Sequence, residues 1–281
     1  GGRAQREATR GSFDRVAALY EHARPGYPEE LWSHLQAGPL RAGASVLEVG
    51  CGTGQATSSL APRAGEVTCV ELGPTLAARA RANLAGFPNV TVVVGAFEDV
   101  ELPAESFDLV FSATAWHWID PRAGYPKAAG LLAFGGALVL ATNAHVAGGT
   151  QSEIAGEMAA LQHHLCPDVG AWQFPSVEAV TERALGGMTI AEVWARIDRS
   201  FEVPAPVHAL FEEPSVTAFP WTAAYSARGY ADMLLTHSPY LALDDEHRSR
   251  LAEGVAALVH ERLGGQVTKD YLAMLAVSPR R

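Results

Sequence analysis

Short apolar runs punctuated by turn-forming residues recur along the first half of the chain. Residues 46–50 (VLEVG), 66–71 (EVTCVE), 90–94 (VTVVV), 107–112 (FDLVFS) and 137–141 (ALVLA) are rich in β-branched or aliphatic side chains and bounded by Gly, Pro or Asn. This is the signature of buried strands. Between them, residues 54–62 and 74–85 have helical character: Pro74 suits a first turn, and the Ala, Leu and Arg that follow favour helix. Strand and helix alternate, which predicts a parallel sheet with both faces covered.

The pattern differs on either side of this block. Residues 12–37 read as two helical pieces broken at "RPGYP", because Pro25, Gly26 and Pro28 forbid a continuous helix. After residue 144, residues 151–166, 177–185 and 189–197 read as amphipathic helices with no strand between them. Two further strands follow at 215–225 and 270–277, separated by helices at about 227–235 and 244–262. The chain therefore divides into residues 1–144, with the leading helices and the first five strands, an inserted helical cap at 145–213, and residues 214–281, which complete the sheet. The expected fold is a doubly wound, seven-stranded α/β sheet with the last strand antiparallel.

Composition narrows the function. The chain has 281 residues, 48% hydrophobic and 19% charged, enough for a full core in one large domain or a domain with an elaborate insertion. No stretch approaches the roughly 20 apolar residues of a membrane span, and "GGRAQREATRGSFDR" has no signal-like apolar segment. A cytoplasmic protein without a membrane partner is expected. With 21 basic against 31 acidic residues, net −10, the chain offers no general attraction for a phosphate backbone, so nucleic acid is not expected as the partner. Cys51, Cys69 and Cys166 include no close pair and give neither a disulfide framework nor a zinc set. His163 and His164 are adjacent and splay around a helix, so no metal site is expected there.

The chemistry concentrates in "VLEVGCGTGQ", residues 46–55. A strand, a glycine-rich turn and a helix form the first unit of a nucleotide-binding sheet, whose bare turn lets a ligand approach the backbone. Gly50, Gly52 and Gly54 are spaced G-x-G-x-G, and Gln55 stands where the third glycine of a dinucleotide fingerprint belongs, which speaks against NAD. Glu71 ends the second strand, where an acid accepts hydrogen bonds from the hydroxyls of a ribose. An ordinary tight connection at 50–54 and a solvated strand end at Glu71 are the plainer alternatives.

With "CVELGP" and "VGAFEDVELPAESFDLVFSATAWHW", these residues resemble the class I S-adenosylmethionine-dependent methyltransferases, in the small-molecule branch that includes ubiquinone-biosynthesis-like and trans-aconitate-methyltransferase-like enzymes. The resemblance spans about residues 12–144, and weakly the last two strands. It implies S-adenosylmethionine as cofactor and an O, N or C acceptor on a small molecule. By that resemblance Gly50, Cys51 and Gly52 wrap the methionine part, with Glu48 steadying its amino group; Glu71 holds the ribose diol and Leu72 flanks the adenine. The family commonly places an Asp after the glycine of "VGAFED"; this chain has Ala96, leaving the backbone of Phe97 as the adenine reader. Ala113 offers a carbonyl near the cofactor's amino group. A leading segment folds over the cofactor, bringing Tyr20 and Arg24 towards its carboxylate.

Methyl transfer asks the protein mainly to align and dehydrate, with a base only where the acceptor atom must lose a proton. "ATAWHWID", residues 113–120, follows the fourth strand, so His117 is the candidate proton acceptor, and Trp116 and Trp118 are candidate pocket walls; the alternatives are helix packing for the two tryptophans and capping or orienting of the loop for His117. Trp221 and Tyr225 are further candidates for the acceptor pocket. The amphipathic insertion is a candidate dimer face. The rival functions are a cofactor-binding regulator without catalysis and an NAD- or nucleotide-dependent oxidoreductase.

Overall fold

A computed structural model of the chain describes residues 25–170, 172, 174–185, 207–237, 240 and 243–281. The expected helical pieces before residue 25 and the helix at 189–197 lie outside the described residues, as do Tyr20 and Arg24. One seven-stranded sheet runs in the order β3-β2-β1-β4-β5-β7-β6. Its elements follow in chain order as α1 (Glu29–Gln36), β1 (Ser45–Val49), α2 (Gln55–Leu60), β2 (Glu66–Glu71), α3 (Pro74–Asn83), β3 (Val90–Val94), β4 (Phe107–Ala113), α4 (Pro121–Leu131), β5 (Leu132–His145), α5 (Ala155–Leu165), α6 (Val177–Leu185), β6 (Ser215–Ser226), α7 (Ala227–Leu235), α8 (Asp245–Leu263) and β7 (Gln266–Pro279). Neighbours from β3 to β5 pair in parallel, and β7 is antiparallel to both β5 and β6. This is the doubly wound sheet with an antiparallel last strand that the sequence pattern implies.

Burial explains why the strands read so clearly. Val46, Leu47, Val49, Leu109, Val110 and Phe111 are all at most 1% exposed, because helices cover both sheet faces. One face packs Leu31, Trp32 and Leu35 of α1 against Val46, Leu109, Val139 and Leu275. The other packs Tyr125, Ala128 and Leu131 of α4 against Leu47, Val110 and Leu138. Helix ends follow their capping residues: Asp120 accepts from Arg122 N at the start of α4, Asp244 accepts from His247 N at the start of α8, and Gly264 closes α8 in the left-handed region.

Two strands are longer than their apolar runs. β5 was expected over 137–141 and covers 132–145; β7 was expected over 270–277 and covers 266–279. The cause is tertiary: β5 and β7 pair from Ala137↔Pro279 to His145↔Tyr271, and β6 pairs with β7 at Ala223↔Lys269, so polar residues such as Asn143 and Lys269 are carried in strand by their partners. α5 packs with α7 and α8 in a separate apolar cluster containing Ile154, Met158, Tyr230, Leu251 and Val255. The helical layer at this end of the sheet thus draws on the β6–β7 connection as well as on the insertion.

Candidate active site

The site is built first from the turn that ends β1. Gly50, Gly52 and Gly54 have φ of 75°, 59° and 95°, values that glycine alone adopts cheaply. At Gly50 a Cβ would also come within 2.5 Å of the Ala115 Cβ, so the turn and the loop after β4 touch without room for a side chain. Glu71, at the end of β2, ties this turn down: its carboxylate accepts from Gly52 N and from Gly73 N, each at 2.9 Å.

Two clefts meet across that turn, and both are lined by Gly50, Gly52, Thr114 and Ala115. The first encloses about 690 Å³ and is walled by Glu71, Leu72, Leu76, Ala96, Phe97, Trp118 and Ile119. The second encloses about 620 Å³ and is walled by Tyr27, Glu48, Cys51, Gln55, Ala113, Asn143 and His145. Thr114 has a φ of 53°, which for a β-branched residue is real strain of order 1–3 kcal/mol. It is held there by its N–H donating to Ala141 O and by a 2.8 Å bond between its hydroxyl and that of Tyr27.

The acids of the two clefts differ. Glu48 is 1% exposed, accepts from Thr57 Oγ1 at 2.6 Å, and is pushed up to about 7, first by burial and then by the nearby Glu71, with the Thr57 bond acting in the opposite sense. A cation placed beside it would restore the carboxylate. Glu71 is 7% exposed at the neighbouring strand end, with its oxygens on backbone N–H groups. A cofactor with an adenosine at one end and an amino-acid ammonium at the other therefore fits: Glu71 and the Leu72, Phe97 and Trp118 wall suit the nucleoside, and Glu48 suits the ammonium.

The structure brings Glu48, Gly50, Cys51, Gly52, Glu71, Leu72, Ala96, Phe97 and Ala113 together around these clefts. Several acceptor-side expectations need correction. Trp116 is 4% exposed and lies in the core between Phe97 and Tyr125, with ring centroids 5.8 and 5.3 Å away. Trp118 lines the first cleft. His117 lines neither cleft; its ring packs 4.7 Å from that of Trp118. Trp221 and Tyr225 line neither cleft: Trp221 donates to Asn143 Oδ1 at 3.0 Å, and the Tyr225 hydroxyl bonds that of Tyr271 at 2.7 Å. In the short turn after β4 only Trp116 is buried, which local pattern does not resolve.

Sequence reasoning missed Tyr27, Thr114, Asn143 and His145. Thr114 and Tyr27 sat inside quoted segments without a signal of their own. Asn143 and His145 follow the apolar run of β5, and only the residue order "ATNAH", two polar residues spaced as strand neighbours on one face, points to them.

Residues 47–140 match the family model described as "Methyltransferase domain". Over these residues the chain is similar to methyltransferase domains. The resemblance read from the glycine turn, Glu71 and the segment after β3 is borne out, and the domain is of the S-adenosylmethionine-binding kind. An uncharacterised methyltransferase of Mycobacterium tuberculosis is 36% identical over 132 residues, covering 47% of this chain and 52% of that protein. The trans-aconitate 2-methyltransferase of Deinococcus radiodurans is 36% identical over 81 residues, 29% of this chain and 30% of the relative. The chain thus spans about half the length of the first of these relatives. Among solved structures, a protein of Anaeromyxobacter dehalogenans provisionally classed as a type II methyltransferase superposes with a TM-score of 0.57 at 22% identity, covering 92% of this chain and 97% of that one, which matches the fold. Among the described residues no group of His, Cys, Asp and Glu is arranged to hold a metal ion, and no helix is long and apolar enough to cross a membrane.

Proposed function

We propose that the chain transfers a methyl group from S-adenosylmethionine to an O, N or C atom of a small molecule. The observation that carries this reading is the junction of two clefts at one glycine turn, with Glu71 in one and Glu48 in the other. The cofactor supplies an already activated methyl on a sulfonium when bound. The chain's own residues then have four tasks. Glu71 holds the ribose hydroxyls; Leu72, Phe97 and Trp118 exclude water from the base; Glu48, ionised by its partner, fixes the ammonium; and Thr114 with Ala115 forms the floor where the clefts join. Displacement at the methyl needs the acceptor in line and dry, which a narrow cleft can provide.

The trans-aconitate 2-methyltransferase relative supports an acceptor that is a small molecule, although it overlaps little more than a quarter of the chain. The test is calorimetry with S-adenosylmethionine, followed by incubation of the purified chain with a labelled methyl donor and fractionated metabolites, with an rRNA fraction alongside. Binding and a labelled small product are expected. Label in the rRNA fraction alone would overturn the small-molecule acceptor; binding without transfer to any fraction would favour a cofactor-sensing regulator.

A further inference from the structure

The residue at which the two clefts meet is strained, and a chain of hydrogen bonds holds it so. Thr114 lines both clefts and has a φ of 53°, a conformation that a β-branched residue keeps only where its surroundings over-determine it, as they do at functional sites. Its N–H donates to Ala141 O, and its hydroxyl lies 2.8 Å from that of Tyr27. Tyr27 is fixed in turn. Its ring meets that of Trp32 edge-on at 6.0 Å, and the carbonyl of Gly26 beside it accepts from Asn143 Nδ2 at 2.8 Å. Asn143 Oδ1 accepts from Trp221 Nε1 at 3.0 Å, and the Trp221 ring stacks on that of Tyr271 at 5.2 Å. An indole N–H only donates and a carbonyl only accepts, so these two bonds fix which way the Asn143 amide faces.

A threonine hydroxyl offers one hydrogen and two lone pairs, and Tyr27 takes one of these positions. The others remain on a half-buried side chain at the junction of the clefts. We infer that the Thr114 hydroxyl orients the acceptor by a hydrogen bond to the atom that is methylated, and that this atom is an oxygen, or a nitrogen carrying hydrogen, rather than carbon or sulfur. Tyr27 is then the positioning residue of Thr114, and Asn143, held by Trp221, that of Tyr27. The inference rests on the methyltransferase reading above and narrows its acceptor.

The junction suits this assignment. Glu71 stands in one cleft and Glu48 in the other, so a cofactor held by both must cross the residues that the clefts share. Of these, Gly50, Gly52, Thr114 and Ala115, Thr114 alone has a polar side chain. In the transfer, a lone pair of the acceptor atom forms the bond to the methyl carbon, the carbon–sulfur bond breaks with its electron pair passing to sulfur, and a proton on the acceptor atom, where it has one, passes to water. Thr114 keeps its own proton throughout. While one lone pair attacks, an oxygen still has a second lone pair or a hydrogen for the Thr114 hydroxyl, and a nitrogen has its N–H; an alkene carbon has neither, and sulfur bonds hydrogen only weakly. The hydroxyl therefore selects the attacking atom as well as placing it in line.

The test gives the full chain a labelled methyl donor and a panel of phenols, aliphatic alcohols, carboxylic acids and primary amines, beside thiols and electron-rich alkenes. Label is expected on oxygen or nitrogen. With the best of these acceptors, T114V, which keeps the shape of the side chain and removes its hydroxyl, is expected to lower kcat/KM roughly 10- to 100-fold, and T114S, which keeps the hydroxyl, to recover most of the loss. Should T114V fail to fold, T114G, relaxed at this φ and equally without a hydroxyl, takes its place. Y27F is expected to lower kcat/KM about tenfold in the wild type and to add nothing in T114V, because it acts through Thr114. Cofactor affinity should stay within about threefold in all of these. Carbon NMR of the Tyr27 ring in the cofactor-free chain gives a readout without turnover: its signal should move in T114V and in N143A. Unchanged kcat/KM in the folded hydroxyl-free variant, equal losses in T114S and T114V, additive losses in the double variant, an unmoved Tyr27 signal, or no label on oxygen or nitrogen in any compound would each overturn the inference. Failure of the wild type to bind S-adenosylmethionine would instead sink the methyltransferase reading itself.

Discussion

The two clefts share a floor but are assembled differently. The first, and the glycine turn beside it, come from residues close in sequence: Gly50, Gly52 and Glu71 lie within one strand–turn–helix–strand unit, and the carboxylate of Glu71 ties that unit shut. The second joins that turn, with Glu48, Cys51 and Gln55, to Ala113 at the end of β4 and to Asn143 and His145 at the end of β5, which pairs with β7. The lining of the first falls within residues 49–119. The wall at Asn143 and His145 stands only when strands more than 120 residues apart are in register, as His145↔Tyr271 is. Substitutions should separate the two.

The largest separation is expected from Gly52→Val. A β-branched side chain at a φ of 59° is strained, and it would stand where both clefts meet. Calorimetry should detect no S-adenosylmethionine binding, whereas the cluster of α5, α7 and α8, remote from the turn, should keep its cooperative unfolding. Normal cofactor affinity in the folded variant would reduce the turn to a mere connection.

Next comes a pair of opposed pH effects. Glu48, in the local half, has its carboxyl raised to about 7. The folded protein then holds a proton that the unfolded chain releases, and stability falls as pH rises from about 4.5 to about 7. Lys269, in the assembled half, is lowered to about 7, chiefly by burial, with Asp270 resisting. Here the unfolded chain binds the extra proton, and stability rises from about pH 7 to about 10.5. Glu48→Gln should remove the falling limb, worth at most about 3 kcal/mol, and Lys269→Met the rising limb, worth at most about 5 kcal/mol. Denaturant titrations at pH 5, 7 and 9 check both; matching slopes in wild type and variants would show that neither group is held as its burial implies. Saturating cofactor should flatten the Glu48 limb alone, because only that cleft receives the ammonium.

Legibility in the sequence follows the same division. The strands β1, β2 and β4 announce themselves because most of their residues are buried, the edge strand β3 by its run of valines, and the candidate cofactor residues follow from the spacing of Gly50, Gly52 and Glu71. β5 and β7 were read short, since Asn143, Thr268, Lys269 and Asp270 are polar and are held in strand by pairing partners far along the chain. Pairing at that range leaves no local period to read. The same blindness misplaced the acceptor side. "TAWHW" looked like a pocket because aromatic residues and a histidine followed a strand on the crevice side, yet the short turn at Trp116–Trp118 sends Trp116 into the core.

A smaller effect is expected from Glu71→Ala. It removes the acceptor of two backbone N–H groups as well as the partner of the ribose, so cofactor affinity should fall by about 1.5 to 3 kcal/mol, roughly 10- to 150-fold. The loss should appear in binding and leave the fold intact by circular dichroism. Unchanged affinity would remove the ribose from this strand end. Because Glu71 supports the turn, Gly52 and Glu71 should also be non-additive in a double-variant cycle.

The smallest effect is the one that most directly opposes the reading of the sequence alone. His117 stands one residue from Trp118, which walls the first cleft, but its own ring packs on that tryptophan and lines neither cleft. His117→Ala should therefore act only through a slight loosening of Trp118, weakening cofactor binding by less than about threefold, the size of a single lost packing contact. A group that never meets the acceptor has no proton to take, so the pH profile of turnover should keep its shape and kcat should change less than tenfold. Loss of a rising pH limb of turnover in His117→Ala would return the proton acceptor to the loop after β4.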